Sequence, residues 1–216
     1  MRIDALAQSA VPIAMSIGNL VAAERWVSAL LDVSAKNALW VWHARARCLK
    51  GMLLVARGDE SGLALLESAL DWLREANFIY LHTMATAALA QGLGAAGESA
   101  RARTTIDEAI GQANRNEEYW CMAELLRIKG ELLRLDGSAN ADGTAEDCFH
   151  QSLDWARRQD ALSWELRAAT SLARLWRDQA RNKEARELLE SIYDRFTEGF
   201  ATADLRTAKS LIEEMA

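Results

Sequence analysis

The apolar positions fall at three- and four-residue steps, the spacing of an amphipathic helix, and one short pattern recurs along the chain. It is a small residue, then an apolar one, then an acid or an aromatic a step or two on. The pattern reads SALLDV from Ser28, SALDWL from Ser68, EAIGQA from Glu108, QSLDWA from Gln151 and ESIYDR from Glu190. Its small residues, Ala29, Ala69, Ala109, Ser152 and Ser191, lie 40, 40, 43 and 39 residues apart. A second column runs ahead of it through Val11, Gly51, Ala90, Gly130 and Ala173, spaced 40, 39, 40 and 43. Seven residues after each member comes Gly18, Gly58, Gly97, Gly137 or Ala180, the place for a left-handed helix terminus, which glycine adopts without steric cost.

Each unit therefore reads as a helix, a tight turn and a second helix, with the small residue of the first helix letting the second pack close. Five units fit, at about 3–35, 38–76, 78–115, 117–160 and 163–198. The fourth carries an insertion, DGSANADG (136–143), after which Thr144 is expected to restart the helix with Asp147 completing a near capping box. A closing helix, TADLRTAKSLIEEM from Thr202, has Thr202 in the N-cap position, Asp204 in the first turn, and Leu205, Ala208, Leu211 and Ile212 along one side. One unit cannot bury its apolar faces alone, whereas stacked units share a core. The expected fold is all-α: a tetratricopeptide-like right-handed superhelix of about five antiparallel helix pairs, 1–216 forming one repeat domain with a capping helix at 202–215. Met1–Ala7 offers no polar lid, so the chain reads as a piece of a longer protein whose earlier repeats precede it.

Composition agrees with helix. Pro12 is the single proline, and half of the residues are hydrophobic. The net charge of −6 disfavours direct contact with nucleic acid, which needs a basic surface. Cys48, Cys121 and Cys148 are scattered, odd in number and without a CxxC spacing, which fits a reducing cytoplasm. Ala5–Ala23 and Phe78–Gly97 are uncharged for about the length of a membrane span, but polar residues and glycines interrupt them, so helices buried on most sides are expected there and no membrane segment.

The run AELLRIKGELLRLDG, followed by AEDCFHQSLDWARRQDALSWELRAATSLARLWRDQ and YDRFTEGFATADLRTAKSLIEEM, resembles the C-terminal tetratricopeptide-like region of bacterial multidomain signalling ATPases. AERWVSALLDVSAKNALWVWHARARCLKGMLLVARGD is similar to their upstream repeats, so the likeness covers nearly the whole chain and is strongest from Glu117 onward. It implies a nucleotide-binding ATPase core ahead of the repeats, and ahead of that a winged-helix DNA-binding or class III nucleotide cyclase output domain. No GxxxxGK[ST] phosphate loop occurs in these residues, and none of the family's catalytic residues carries over.

Catalytic chemistry finds little support. Cys121 stands among Tyr119, Trp120 and Met122 and reads as a buried small hydrophobe rather than a nucleophile. Cys148 and His150 fall on nearly opposite helix faces, and no metal-ligand spacing or Ser/His/Asp set appears, so no enzyme, metal or cofactor is expected. Trp72 and Trp155, at matching repeat positions, read as packing between repeats; of Trp40 and Trp42, on opposite sides of a helix start, one should be exposed.

Binding would then fall on the concave face, lined by the first helix of each unit. Helical steps place Arg45, Cys48, Met52 and Val55 there in unit two, and Met84, Ala87 and Gln91 in unit three. Units four and five supply Glu124, Arg127, Glu131 and Arg134, then Arg167, Thr170, Arg174 and Arg177. The fourth set alternates in sign and should pair along its own helix. The fifth is an arginine stripe with no acid on its face, suited to a carboxylate or phosphate. The expected role is an interaction and sensor module of a transcriptional or signal-transduction regulator. Its expected partner is a protein or peptide, acidic in character, an anionic effector, or another domain of the parent chain. A stand-alone adaptor is the alternative, and a homodimer through stacked ends is compatible with both.

Overall fold

The computed structural model describes residues 3–76, 78, 82–136 and 141–215. Among them there is no strand; every regular element is helical. The chain opens with α1 (Ile3–Ala5), a π-helical stretch (Leu6–Ala10) and α2 (Val11–Ser16), followed by α3 (Leu20–Lys36). Then come α4 (Trp40–Ala56) and α5 (Ser61–Glu75), and α6 (His82–Ala95) and α7 (Ser99–Arg115). A short 3-10 turn (Tyr119–Cys121) leads into α8 (Met122–Asp136) and α9 (Ala141–Arg158). The chain ends with α10 (Leu162–Asp178), α11 (Asn182–Tyr193) and α12 (Ala203–Glu214). These are helices packed in consecutive pairs, as the 40-residue period requires.

Two compact bodies divide the chain, Met1–Ala109 and Ile110–Ala216, the division falling inside α7. In the first, α3 packs on α4, α4 on α5, and α6 on both α4 and α5. In the second, α8 packs on α9, and α10 is central, touching α8, α9, α11 and α12. The first helices of successive units thus form a row, α8–α10–α12, and α12 occupies the place that a sixth unit's first helix would take.

Close pairing rests on the column Val11, Gly51, Ala90, Gly130 and Ala173, which is buried throughout. A methyl group at Gly130 would stand 2.5 Å from the ring of Phe149, and one at Gly51 would stand 3.0 Å from Leu66 Cβ. Opposite lies a column of larger residues at the matching step, Val27, Leu66, Ile106, Phe149 and Leu189, also buried. The column expected from SALLDV and its relatives is correct in the middle units, where Ala69, Ala109 and Ser152 are buried. At both ends it is one residue early. Ala29 is half-buried and Ser191 exposed, and the buried positions are Leu30 and Ile192, restoring spacings of 39, 40, 43 and 40. A preference for small residues misplaced them, because the buried position holds a large side chain, Leu30 or Ile192, in the end units.

Gly18, Gly58, Gly97 and Ala180 all have positive φ (74°, 75°, 81° and 62°), as the turn column requires; Gly137 lies outside the described residues. A second left-handed column, between units, was not read from the sequence. It contains Ala38, Glu117, Asp160 and Gly199 (φ 52°, 56°, 51° and 79°), and three of these four are not glycine.

The remaining departures are local. Helix α9 begins at Ala141, three residues before Thr144, so the end of the insertion is helical. Thr202 stands at the N-cap of α12 but its side chain caps nothing. Pro12 explains the π-helical stretch. Val11 N–H bonds to Leu6 O, a five-residue step, and Pro12 has no N–H to continue that ladder to Ala7 O. Arg45 Nη2 donates to the Ala7 carbonyl instead, at 3.5 Å. The uncharged window Phe78–Gly97 holds α6, buried on most sides, and no helix among the described residues is long and apolar enough to cross a membrane.

Gly130→Ala should lower stability by about 1–3 kcal/mol through overpacking against Phe149, although alanine favours helix by ~1 kcal/mol. Gly111→Ala, also inside a helix but facing only the mobile end of Arg115, should raise it by up to ~1 kcal/mol. Chemical denaturation of both variants reads the two opposite signs. Ala180→Gly should relieve left-handed strain of about 1–2 kcal/mol, less the entropy that glycine gains on unfolding, and raise the denaturation midpoint.

Candidate anion-binding site

The residues expected on the binding face divide sharply by environment. In the first body, Arg45 is 3% exposed and held by the Ala7 carbonyl, Met52 is partly buried against the core that includes Leu6, Val27 and Leu49, and Gln91 is exposed. Cys48 and Ala87 are fully buried, so this part of the expected face is largely packing.

In the second body the row α8–α10–α12 is stitched by charge. Glu124, 3% exposed, takes Arg127 in a two-pronged bond, Nε to Oε2 at 3.0 Å and Nη2 to Oε1 at 2.9 Å. Arg167 reaches the same Glu124 Oε1 from α10 at 2.9 Å, with its Nε 3.8 Å from Asp204 of α12. Arg127 lies 3.7 Å from Glu131, which also accepts a 2.6 Å hydrogen bond from Ser171. Arg134 reaches Asp178 across the helices at 2.6 Å, and Arg177 bonds Asp178 at 3.1 Å and Glu214 at 2.9 Å.

The arginine stripe of α10 is therefore not uncompensated. Arg167 is met by Glu124 of α8 and Asp204 of α12, some forty residues away in sequence, and Arg177 by the adjoining Asp178 as well as by Glu214 of α12. Of the alternating set on α8, Arg127 pairs along its own helix with Glu124 and Glu131, as its spacing suggested, whereas Arg134 pairs with Asp178 of α10.

Two arginines stand outside this pairing. Arg174 of α10 and Arg206 of α12 make no ion pair or hydrogen bond through their side chains with any described residue. Both line a cleft of about 270 Å³ between α10 and α12, with Arg177, Thr207, Ser210, Leu211 and Glu214. The Thr207 and Ser210 hydroxyls are likewise without partners among the described residues. Helical steps identified Arg174 and Arg177, but Arg206, Thr207 and Ser210 were missed. The apolar side of the closing helix marks it as a cap, and its other side supplies the second wall of the cleft.

Electrostatics follow from burial. Burial pushes the Glu124 carboxyl up, but Arg127 and Arg167 outweigh it and hold the group below the ordinary carboxylate value. Burial dominates at Asp204, which Arg167 only partly offsets, and its carboxyl lies above the ordinary value. A second buried acid, Glu165, is held by Arg157 at 2.8 Å and Arg195 at 2.5 Å, tying the start of α10 to the end of α9 and to the segment after α11.

The other chemical candidates resolve into packing. Cys121 is buried, its thiol pushed up by burial to about 12 and donating to the Glu118 carbonyl. Cys48 is buried with its thiol raised to about 11. No metal-binding group of three His, Cys, Asp or Glu occurs among the described residues. Trp155 stacks on Tyr119 at 5.5 Å within one unit, not between repeats, while Trp72 is exposed. Trp40 is exposed and Trp42 partly buried, as their opposite placement implied.

A scan of the chain against protein-family models finds no match, and neither does a comparison with curated proteins.

Removing Glu124 leaves two buried or half-buried guanidinium groups facing each other, so Glu124→Gln should cost about 3–5 kcal/mol. The sign of its pH dependence is fixed by the lowered pKa. Glu124 contributes stability above the unfolded value of about 4.3, and this is lost as pH falls through the lower folded value. Thermal melts across the acid range should show a steeper decline for the parent chain than for Glu124→Gln.

Proposed function

We propose that this chain is an interaction and sensor module that takes an anionic group, from an acidic partner or an effector, at the α10–α12 cleft. The observation that supports this reading is the pair Arg174 and Arg206. On a face where the neighbouring arginines Arg127, Arg134, Arg167 and Arg177 all hold carboxylates, these two hold none. Unpaired guanidinium groups in a cleft offer planar, two-pronged donors to a carboxylate or phosphate, and a protein of net charge −6 does not carry them as part of a general basic surface.

The likeness of the chain to the repeat region of bacterial signalling ATPases supplies a setting for such a site. Binding at the row of first helices would be passed to an attached ATPase and its output domain in a cytoplasmic regulator. Three buried cysteines outside any disulfide, Cys48, Cys121 and Cys148, suit that compartment. The upstream reading frame tests the setting: a phosphate-loop ATPase continuous with this chain is expected, and a frame beginning at Met1 would favour the adaptor.

The site itself is tested by charge reversal. A glutamate-rich peptide followed by fluorescence anisotropy should bind in low salt and weaken as salt rises. Arg174→Glu should reduce its affinity by tenfold or more; an unchanged affinity would sink the assignment.

A further inference from the structure

The charge and donor inventory of the α10–α12 cleft narrows the anion further. Three guanidinium groups, Arg174, Arg177 and Arg206, and one carboxylate, Glu214, line it, so its side chains carry a net charge of +2. A single carboxylate would leave half of that charge uncompensated. A phosphate monoester carries about −1.5 to −2 near neutral pH and presents three strong acceptor oxygens. The cleft meets those oxygens with two unengaged guanidinium forks and two unengaged hydroxyls, Thr207 and Ser210. At about 270 Å³ the cleft is below the range of roughly 300–1,000 Å³ usual for whole small-molecule ligands, and so suits one headgroup.

We infer that this cleft is a receptor for a dianionic phosphate monoester, with Arg174 and Arg206 as its primary ligands and Thr207 and Ser210 as hydroxyl donors. The inference rests on the anion-binding reading above and specifies its ligand. Glu214 has a distinct part. Its side chain is 58% exposed and bonds Arg177 at 2.9 Å, so it occupies from within a cation that the ligand would otherwise share. Arg177 remains tied to Asp178 whether or not Glu214 is present. Loss of the Glu214 carboxylate therefore leaves Arg177 in place and raises the net charge of the cleft to +3. The chemistry is common to a free phosphate ester and a phosphorylated side chain of a peptide, and these sources differ in what lies beyond the headgroup.

The test is isothermal titration calorimetry of the 216-residue chain with three probes: free phosphoserine, a phosphoserine peptide, and the same peptide with glutamate in its place. Both phosphate probes, or the phosphopeptide alone, should bind more tightly than the glutamate peptide. Equal affinity of the two phosphate probes identifies the headgroup as sufficient, and binding of the phosphopeptide alone identifies a peptide source. Arg174→Gln and Arg206→Gln should each weaken phosphate binding about tenfold or more, as loss of a charge-assisted hydrogen bond implies. Glu214→Gln should strengthen it severalfold, a gain that a folding defect cannot mimic. Preference for the glutamate peptide, with Arg174 dependence, would overturn the phosphate assignment and leave the acidic-partner reading standing. Absence of binding by all three probes, or indifference to both arginine substitutions, would overturn both.

Discussion

The close approach of the two helices within a unit, a small residue under a large one, is the contact on which the other features depend. Gly130 lies under the ring of Phe149 and Gly51 under Leu66, at distances that leave no room for even a methyl group without a shift. Gly62 shows the same constraint from the opposite helix, where an added methyl would meet the Val55 amide at 2.8 Å and the Gly51 carbonyl at 2.9 Å. Helices this close exclude water from their seam and bury the large residue completely, which is where packed cores gain their stability. The constraint also holds each unit to one register, since sliding the helices would set Phe149 against side chains instead of a glycine.

With each pair fixed, the first helices can be aligned across units by polar contacts that would otherwise be too weak to position anything. Exposed ion pairs contribute little. Glu124, however, is buried and shared by Arg127 and Arg167, so its bonds act where solvent does not compete. Arg167 then faces Asp204, and Arg177 faces Glu214, carrying the alignment from α8 through α10 to α12. Burying charge is costly, and a network of this kind specifies geometry more than it adds stability. Its product is a fixed spacing of α10 and α12, with Arg177 held by Asp178 and Glu214 at the edge of the cleft between them.

The architecture was legible in the sequence because it depends on residue size at a fixed period. Glycines at 18, 58 and 97 and small residues at 51, 90, 130 and 173 follow from sterics that any chain of L-residues obeys. The second left-handed column escaped because Ala38, Glu117 and Asp160 carry no such mark: their neighbours hold them there against their own preference. The candidate binding face was legible only as a set of positions. Arg174 and Arg177 could be placed by helical steps, but which arginines are neutralised depends on residues 37 to 44 positions away, such as Asp178 for Arg134 and Glu214 for Arg177. Charge on one helix cannot predict the field of a face built from three.

That last point changes what marks a site in a helical repeat. Arginine is frequent on such surfaces, and a stripe of it along one helix is explained as well by neighbour pairing as by a ligand. Arg167 and Arg177 show how ordinary the pairing is. Arg115, like Arg174 and Arg206, makes no ion pair with a described residue, and what sets Arg174 and Arg206 apart is that they line one cleft together. The chain carries 31 acidic residues against 25 basic ones, and Glu214 and Asp178 lie close enough to occupy Arg177. The cleft is positive within a negative protein, and long-range repulsion of anions by the whole chain is overcome only by a ligand that gains several short charge-assisted bonds at once. Such a site discriminates by charge density and geometry rather than by net attraction, which suits a recognition element.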